Sequence, residues 1–308
     1  MTDESNAPRS GRVAIVGRPN VGKSTLLNAL LGQKLAITTP RPGTTRSRLL
    51  GVFAQEAPPT QIAFVDTPGL ERPRSVLGKV IAEEAKASLE DVDAVVLVID
   101  ATHHGKGGDP IHPADEDVLA QVARVRVPIV LALNKVDKIK DKGKLLPQLA
   151  SWDQRHDLAA LVPMSALKSD NVDPLVRELR AHLPEGLLYE EDVLTDRPTR
   201  FFAAELVREA IIRHTREEVP HTVAVQIEEF TEESAITRIG ATIIVDKPTH
   251  KGILIGSGGE RLKSIGTAAR TEIEDFIQQK VFLKLFVRVE EHWTRNPHKV
   301  RQLTRETE

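Results

Sequence analysis

No cysteine occurs among the 308 residues of the chain. That excludes disulfides, cysteine-ligated zinc and thiol catalysis, and it fits a reducing cytosol. Nowhere do about 18 or more apolar residues follow one another, so no segment is expected to span a bilayer as a helix. The opening stretch MTDESNAPRSGR is polar and lacks the apolar core of a signal peptide. Neither charge is in large excess. A formal net charge of −2 rules out a globally basic coat for nucleic acid while leaving room for a local basic patch. Internal repeats and low-complexity tracts are also missing.

What remains is ordinary soluble composition, with 40% hydrophobic and 28% charged residues. The length suffices for two domains, each with its own core. From Arg12 to about His182, short apolar runs alternate with helical patterns: RVAIVG, RLLGVFA, QIAFVD, AVVLVID, PIVLALN and LAALVPMSA. Several are apolar at nearly every position, as strands covered on both faces must be. The alternation predicts an α/β domain over residues 10–183, a mostly parallel sheet with helices on both faces. Residues 184–199, acidic and proline-bearing without periodicity, read as a linker. Residues 200–295 then read as α-β-β-α-β, an α+β domain, and 296–308 as a tail with a short helix after Pro297.

The stretch GRPNVGKSTLLNALLG joins the first apolar run to a leucine-rich helix. Amides in the first turn of a helix have no intrahelical partner and meet anions. The spacing Gly17-x-x-x-x-Gly22-Lys23-Ser24 is that of a P-loop. In it, Gly17, Arg18, Pro19, Asn20, Val21 and Gly22 form the phosphate cradle. Lys23 neutralises the β- and γ-phosphates, Ser24 ligates magnesium, and Thr25 follows in the helix. By itself this pattern leaves kinases, ATPases and GTPases open.

Three further motifs follow in order. Asp66-Thr67-Pro68-Gly69 ends a strand, where ligands of a parallel sheet collect. Asp66 can hold the metal there, and the Gly69 amide can approach a γ-phosphate unobstructed. Asn134, Lys135, Val136 and Asp137 select the base. A carboxylate at Asp137 accepts two hydrogen bonds from guanine, and adenine has no such donor pair. The Lys135 stem can cover the ring, and Asn134 can tie neighbouring loops. Ser165 and Ala166 end the last strand, with the Ala166 amide available to the guanine oxygen. In RPGTTRSR, residues 41–48, Thr45 is the candidate to ligate magnesium and contact the γ-phosphate, ordering the loop only with triphosphate bound. The predicted catalytic set is therefore Lys23, Thr45, Asp66 and Gly69, and the metal set Ser24, Thr45 and Asp66.

With these motifs the chain resembles the translation-factor-like branch of P-loop GTPases. The resemblance implies hydrolysis of GTP to GDP with magnesium. Leu70 stands where Ras-type proteins carry a water-orienting glutamine, so slow intrinsic turnover is expected. Asn20 resembles the asparagine with which some relatives ligate potassium. His103, His104 and His112 lie in a turn-rich loop and read as solvated rather than as a zinc site.

The second domain contains Gly256-Ser257-Gly258-Gly259 entering a helix, a G-x-x-G loop that lets a nucleic-acid backbone come close. Ile253, Leu254, Ile255, Leu262 and Ile265 are expected to floor a groove for bases. Residues 200–308 carry 17 Lys+Arg and 17 Asp+Glu, yet 247–270 hold five cations (Lys247, Lys251, Arg261, Lys263, Arg270) against Glu260 alone. The positive field thus gathers at the glycine loop, as phosphate contact requires. The RNA-binding candidates are Lys247, Lys251, Gly256, Ser257, Gly258, Gly259, Arg261 and Lys263. Trp293 reads as a core or domain-edge residue.

A P-loop GTPase domain followed by this module resembles the Era family, from Arg12 to about Trp293. The resemblance implies a type II KH domain, binding of small-subunit ribosomal RNA near its 3′ end, and a role in small-subunit assembly. It also implies a cytoplasmic monomer associated peripherally with the inner face of the bacterial membrane. A signalling switch that reads protein effectors, or a structural RNA-binding scaffold, are the rival readings. In the family the glycine loop often carries lysine where Ser257 stands. Converting Ser257 to Lys should tighten RNA binding and add about 0.7 to the slope of log affinity against log salt; titrations at several salt concentrations that give an unchanged slope would refute a phosphate at that position.

Overall fold

The computed structural model describes residues 7–70, 73, 75–190 and 193–305. The polar start as far as residue 6, residues 191–192 of the expected linker, and the last three residues of the tail lie outside the described residues. The chain divides into two compact units. One consists of Met1–Ala36, Arg48–Arg72 and Ala82–Asp196, the other of Ile37–Ser47, Pro73–Ile81 and Arg197–Glu308.

In the first unit the six apolar runs become six strands: β1 (Arg9–Val16), β2 (Leu49–Glu56), β3 (Pro59–Asp66), β4 (Ala94–Asp100), β5 (Ile129–Asn134) and β6 (Ala160–Pro163). Their order is β2-β3-β1-β4-β5-β6. Only β2 runs antiparallel, because Ala57 and Pro58 alone join it to β3, too short a link for a parallel crossover. Every residue of β4 and β5 is buried, as expected of strands covered on both faces. Val95, Leu97, Ile99, Leu131 and Leu133 pack on one side with Trp152. The parallel strands β1, β3, β4 and β5 bring Val16, Asp66, Asp100 and Asn134 to one edge of the sheet. Four helices belonging wholly to this unit are α1 (Lys23–Leu31), α3 (Pro113–Val122), α4 (Leu145–Arg155) and α5 (Val172–Arg180). Helix α1 buries Leu26, Leu27 and Leu30 and stops at Gly32, whose φ of 66° suits a residue without a side chain.

The stretch expected to be a linker differs from that expectation. Ser10 N donates to Pro184 O (3.1 Å), Val52 N to Leu194 O (2.8 Å), and the Gln61 amide bonds the Tyr189 backbone at 2.9 and 3.0 Å. At Pro184, Tyr189 and Leu194 it is thus strapped to the first unit. Backbone bonding of this kind needs no side-chain periodicity, which is why the sequence pattern conceals it.

The second unit contains α6 (Thr199–His214), β7 (Val223–Glu232), β8 (Ile236–Val245), α7 (Pro248–Ile255), α8 (Glu260–Ile277), β9 (Lys280–Val289) and α9 (Pro297–Arg305). Strand β8 is central, antiparallel to β7 and parallel to β9. Helices α6 and α8 supply Val207, Ile211, Ile265, Ala269 and Ile273 to a core shared with the inward residues of the sheet. Where a single helical region was expected after β8 there are two, α7 and α8, with the glycine loop between them; Pro248 opens α7 at a position that needs no amide donor. The tail is also part of the unit. Val300 and Leu303 of α9 pack with Trp293, Ala224 and Ile244. Helix α2 (Val76–Ala87) begins in this unit, and its Val80 joins the same cluster.

Trp293 is fully buried and its Nε1 donates to Thr222 O at 3.2 Å, so it serves the core. Trp293→Ala removes both the ring and that bond, and should destabilise the second unit by about 3–5 kcal/mol. Denaturant unfolding of the full chain checks this; a loss below about 1 kcal/mol would contradict the packing described.

Candidate nucleotide site and glycine-loop groove

The turn from β1 into α1 holds its shape through glycine. Gly17 has φ 152° and Gly22 φ 107°, and Asn20 between them is left-handed at 61°. The Lys23 side chain is buried within the turn, its Nζ donating to Gly17 O (3.1 Å) and Arg18 O (2.9 Å). Its ammonium therefore lies in the concave loop, where the helix amides open. Ser24 Oγ donates to Asp66 Oδ2 at 2.7 Å, joining the start of α1 to the end of β3. A hydroxyl and a buried carboxylate side by side are hard oxygen donors, which suits a magnesium ion. Thr67 Oγ1 bonds Ile15 O (2.9 Å), Pro68 is buried, and a side chain on Gly69 would lie 2.7 Å from the Pro19 ring. Thr25 follows half-buried in the first turn of α1. Leu70 is 5% exposed and belongs to the core cluster that contains Leu89 and Leu119.

Three outside groups grip the turn. Arg18 forks onto Asp115 of α3, Nε to Oδ1 at 2.6 Å and Nη2 to Oδ2 at 2.9 Å. Its side chain is thereby committed to α3, and only its backbone serves the cradle. Burial pushes the Asp115 carboxyl above the usual range despite the Arg18 cation beside it. Lys135 reaches Asn20 O and, at 2.7 Å, Asp100 Oδ2 at the end of β4. Burial raises Asp100, but hydrogen bonds from Lys135 and Thr102 outweigh it and hold the carboxyl below its ordinary value. Asn134 Nδ2 donates to Val21 O at 2.8 Å, and Asn134 Oδ1 accepts from Ala166 N at 2.9 Å.

At the base end, Ser165 Oγ donates to Asp137 Oδ1 (2.6 Å), the carboxylate staying exposed beside buried Val136. The expectation that the Ala166 amide is available for a guanine oxygen needs correction. That amide is occupied by Asn134, because a buried N–H takes whatever acceptor is near. Sequence reading also passed over Asp100 and Asp115. Asp100 had a signal, an acid closing an apolar strand. Asp115, inside an ordinary helix, had none. Of the three loop histidines, His112 caps α3 by accepting from Ala114 N (3.1 Å) and His103 Nδ1 lies 3.5 Å from Asp100. Among the described residues no group of three or more metal-ligating side chains gathers.

Thr45 belongs to the segment Ile37–Ser47 of the second unit. Its neighbours are held tightly there. Arg46 is buried and donates to Val223 O (2.6 Å), Pro220 O (3.1 Å) and His221 O (3.0 Å), and Arg208 Nη2 donates to Thr44 O at 2.6 Å. Burial and the nearby Arg208 cation push Arg46 down to about 9, still charged at neutral pH.

The glycine loop follows α7. Gly256 (φ 71°), Gly258 (56°) and Gly259 (82°) are all left-handed or nearly so, and Ser257 and Gly258 are exposed. A side chain on Gly256 would meet Arg261 Cβ at 2.8 Å. Lys247, Lys251 and Lys263 are exposed, whereas Arg261 folds back to Ile253 O at 2.5 Å and caps α7. A groove of about 400 Å³ beside α8 is lined by Gly259, Leu262, Lys263, Arg270, Leu283 and Leu285, among others. Of the five residues expected to floor it, Leu254 and Ile265 are fully buried in the core instead, since the helix turns them inward. Leu283 and Leu285 of β9 take that place.

The Gly22 position offers a direct test of the turn. A methyl there would sit 2.3 Å from Asn134 Nδ2, on a backbone that side chains disfavour. Gly22→Ala should weaken nucleotide binding by about tenfold or more, measured by calorimetry with GDP; unaltered affinity would contradict the packing of Asn134 on the turn.

The chain is similar to known proteins over nearly its whole length. A sequence profile described as 50S ribosome-binding GTPase matches residues 12–135, and one described as KH domain matches 218–294. The GTPase Era of Xylella fastidiosa (strain M12) is 47% identical over 292 residues, covering 94% of each chain. That of Geobacter metallireducens is 43% identical over 301 residues, 97% of this chain and 98% of its own. A crystal structure of Era in complex with MgGDPNP and nucleotides 1506–1542 of 16S ribosomal RNA matches with a TM-score of 0.90 at 43% identity, over 96% of this chain and 98% of the other. Likeness of this extent, over both units and nearly every residue, shows that the chain belongs to the Era family of GTPases.

Proposed function

We propose that the chain binds GTP with magnesium, hydrolyses it to GDP slowly, and binds small-subunit ribosomal RNA near its 3′ end during assembly of that subunit. The observation that carries the reading is the joining of the phosphate turn to the base-selecting loops through Asn134, which holds Val21 and Ala166 at once. Lys23 neutralises the β- and γ-phosphates from inside the turn. Ser24 and Asp66 would hold a magnesium ion, which would supply charge neutralisation at the transferring phosphoryl group. The Gly69 amide meets the γ-phosphate. Asp137 accepts the paired donors of guanine, and the Lys135 stem covers the ring.

Leu70 lies in the core, so the attacking water is positioned by backbone, metal or partner, and slow turnover of the isolated chain follows. A potassium ion at Asn20 would add positive charge beside the phosphates.

The exposed glycine loop, with Lys247, Lys251 and Lys263 around it, is the RNA site. The profile description names the large subunit, but it matches residues 12–135 only, whereas the structure with 16S RNA covers 96% of the chain. We therefore take the small subunit as partner. A role in that assembly fits a cytoplasmic protein; a monomeric state and peripheral contact with the inner membrane face rest on the family resemblance alone. Among the described residues no helix is long and apolar enough to cross a membrane. Arg46 and Arg208 hold the segment that carries Thr45 within the RNA-binding unit.

Base selection tests the reading. GTP should displace fluorescent GDP while ATP at a hundredfold excess does not, and Asp137→Ala should weaken GTP by about a hundredfold. Competition by ATP equal to that by GTP would overturn it.

A further inference from the structure

Strand β9 is the edge of the second unit's sheet, and its residues alternate strictly. Val281, Leu283, Leu285, Val287 and Val289 turn to the core. Lys280, Phe282, Lys284, Phe286 and Arg288 turn to the opposite face. Burying the large apolar members of an edge strand is the ordinary outcome, yet Phe282 is 51% and Phe286 50% exposed. Charged residues alone would protect the edge from pairing. Two aromatic rings held open among cations need a further reason.

The cations do more than flank the rings. Arg238 of β8, directly across from Phe282, lies over its ring at 5.7 Å, and Lys284 lies 4.9 Å from the centroid of Phe286. Arg288 is held by Gln226 at 2.8 Å. Acids answer part of this charge: Glu274 lies 3.7 Å from Lys280, Glu233 pairs with Arg238 at 2.7 Å, Glu229 lies across from Gly240, and Glu290 is 4.0 Å from Arg288 and pairs with Lys299; none of these ion pairs involves Lys284. Helix α9 covers only one end of this face, where Ala224 and Ile244 meet Trp293, Val300 and Leu303. The rings are left uncovered. At about 3.3 Å per residue they stand roughly 13 Å apart along the strand.

We propose that this open face of β9 is a second RNA contact, a stacking platform for single-stranded RNA that continues from the glycine-loop groove. Alternating aromatic and cationic side chains on a sheet suit unpaired bases, whose faces stack on rings while cations meet the phosphates. Continuity supplies the second argument. Leu283 and Leu285 line the groove from one side of β9, and Phe282, Lys284 and Phe286 occupy the other side of the same strand. Because β9 is a sheet edge, a chain leaving the groove needs only to pass over that edge to reach the rings. The inference rests on the RNA-binding reading above and adds the open face of β9 to it.

The test uses the full chain and two single-stranded oligonucleotides from the 3′-terminal segment of small-subunit RNA, about four and about ten nucleotides long. Phe282→Ala with Phe286→Ala should leave the short oligonucleotide's affinity unchanged and weaken the long one roughly fivefold or more. Lys284→Gln should lower the long oligonucleotide's salt slope by about 0.7 without altering the short one's. Thermal melts identical to the parent show that the sheet is intact, and Phe282→Tyr with Phe286→Tyr, which keeps both rings, should restore the long-oligonucleotide affinity. Equal affinity of parent and double alanine variant for the long RNA would overturn the platform. So would equal weakening for both lengths, which would place the effect in the groove. If the variants bind both RNAs as the parent does but fail to associate with small subunits, the face recognises a protein and the proposal falls. Failure of the parent chain to bind either RNA would instead refute the RNA-binding reading itself, and this extension with it.

Discussion

Asn134 carries the organisation of the nucleotide site in one buried carboxamide. Its Nδ2 holds Val21 O of the phosphate turn and its Oδ1 takes the amide of Ala166, so loops that follow β1 and β6 meet at the end of β5. A buried amide left unpaired costs about 1–3 kcal/mol, and that cost locks both loops to the sheet. Gly22 leaves the space that Asn134 fills. Around this point, Lys135 links the turn to Asp100 and Arg18 links it to Asp115. The turn is thereby fixed from three sides by contacts within the protein. Preorganisation of this kind is what electrostatic stabilisation of a transferring phosphoryl group requires.

The second unit solves a different problem. A sheet with α6 and α8 on one face must leave its other face open or find a cover, and α9 with Trp293 covers one end only. Charge is gathered at the glycine loop, where three glycines in unusual conformations keep side chains away from an approaching backbone. The same unit grips the segment 37–47 through Arg46, whose buried guanidinium donates from both terminal nitrogens to three backbone carbonyls, while its Nε finds no acceptor. Removing either half of such an arrangement leaves a desolvated charge, so the segment is held firmly rather than loosely.

Much of this was legible in the residues themselves. The six strands followed from runs apolar at nearly every position, and the nucleotide site from motifs whose order leaves few alternatives. The glycine loop announced itself through composition and a local surplus of cations. What escaped were features without a local signature. Asp115 is one acid in a helix with several, and becomes distinctive only because Arg18 reaches it across 97 residues of sequence. Helix α7 was hidden because eight residues are too few for a period to be read. The described part of the segment after Leu183 binds through the backbone of Pro184, Leu188, Tyr189 and Leu194, which no side-chain pattern reports.

Sequence alone determined the strand count of the first unit, the parallel arrangement of most of its sheet and the glycine turn between β1 and α1. These depend on short-range rules: burial periodicity, link length and glycine geometry. Tertiary structure alone decided that Ala166 serves Asn134, that Leu254 and Ile265 belong to a core rather than a groove floor, and that Phe282 and Phe286 stay exposed. In each case the deciding factor was which distant group arrived within reach, a matter of packing that adjacent residues do not encode.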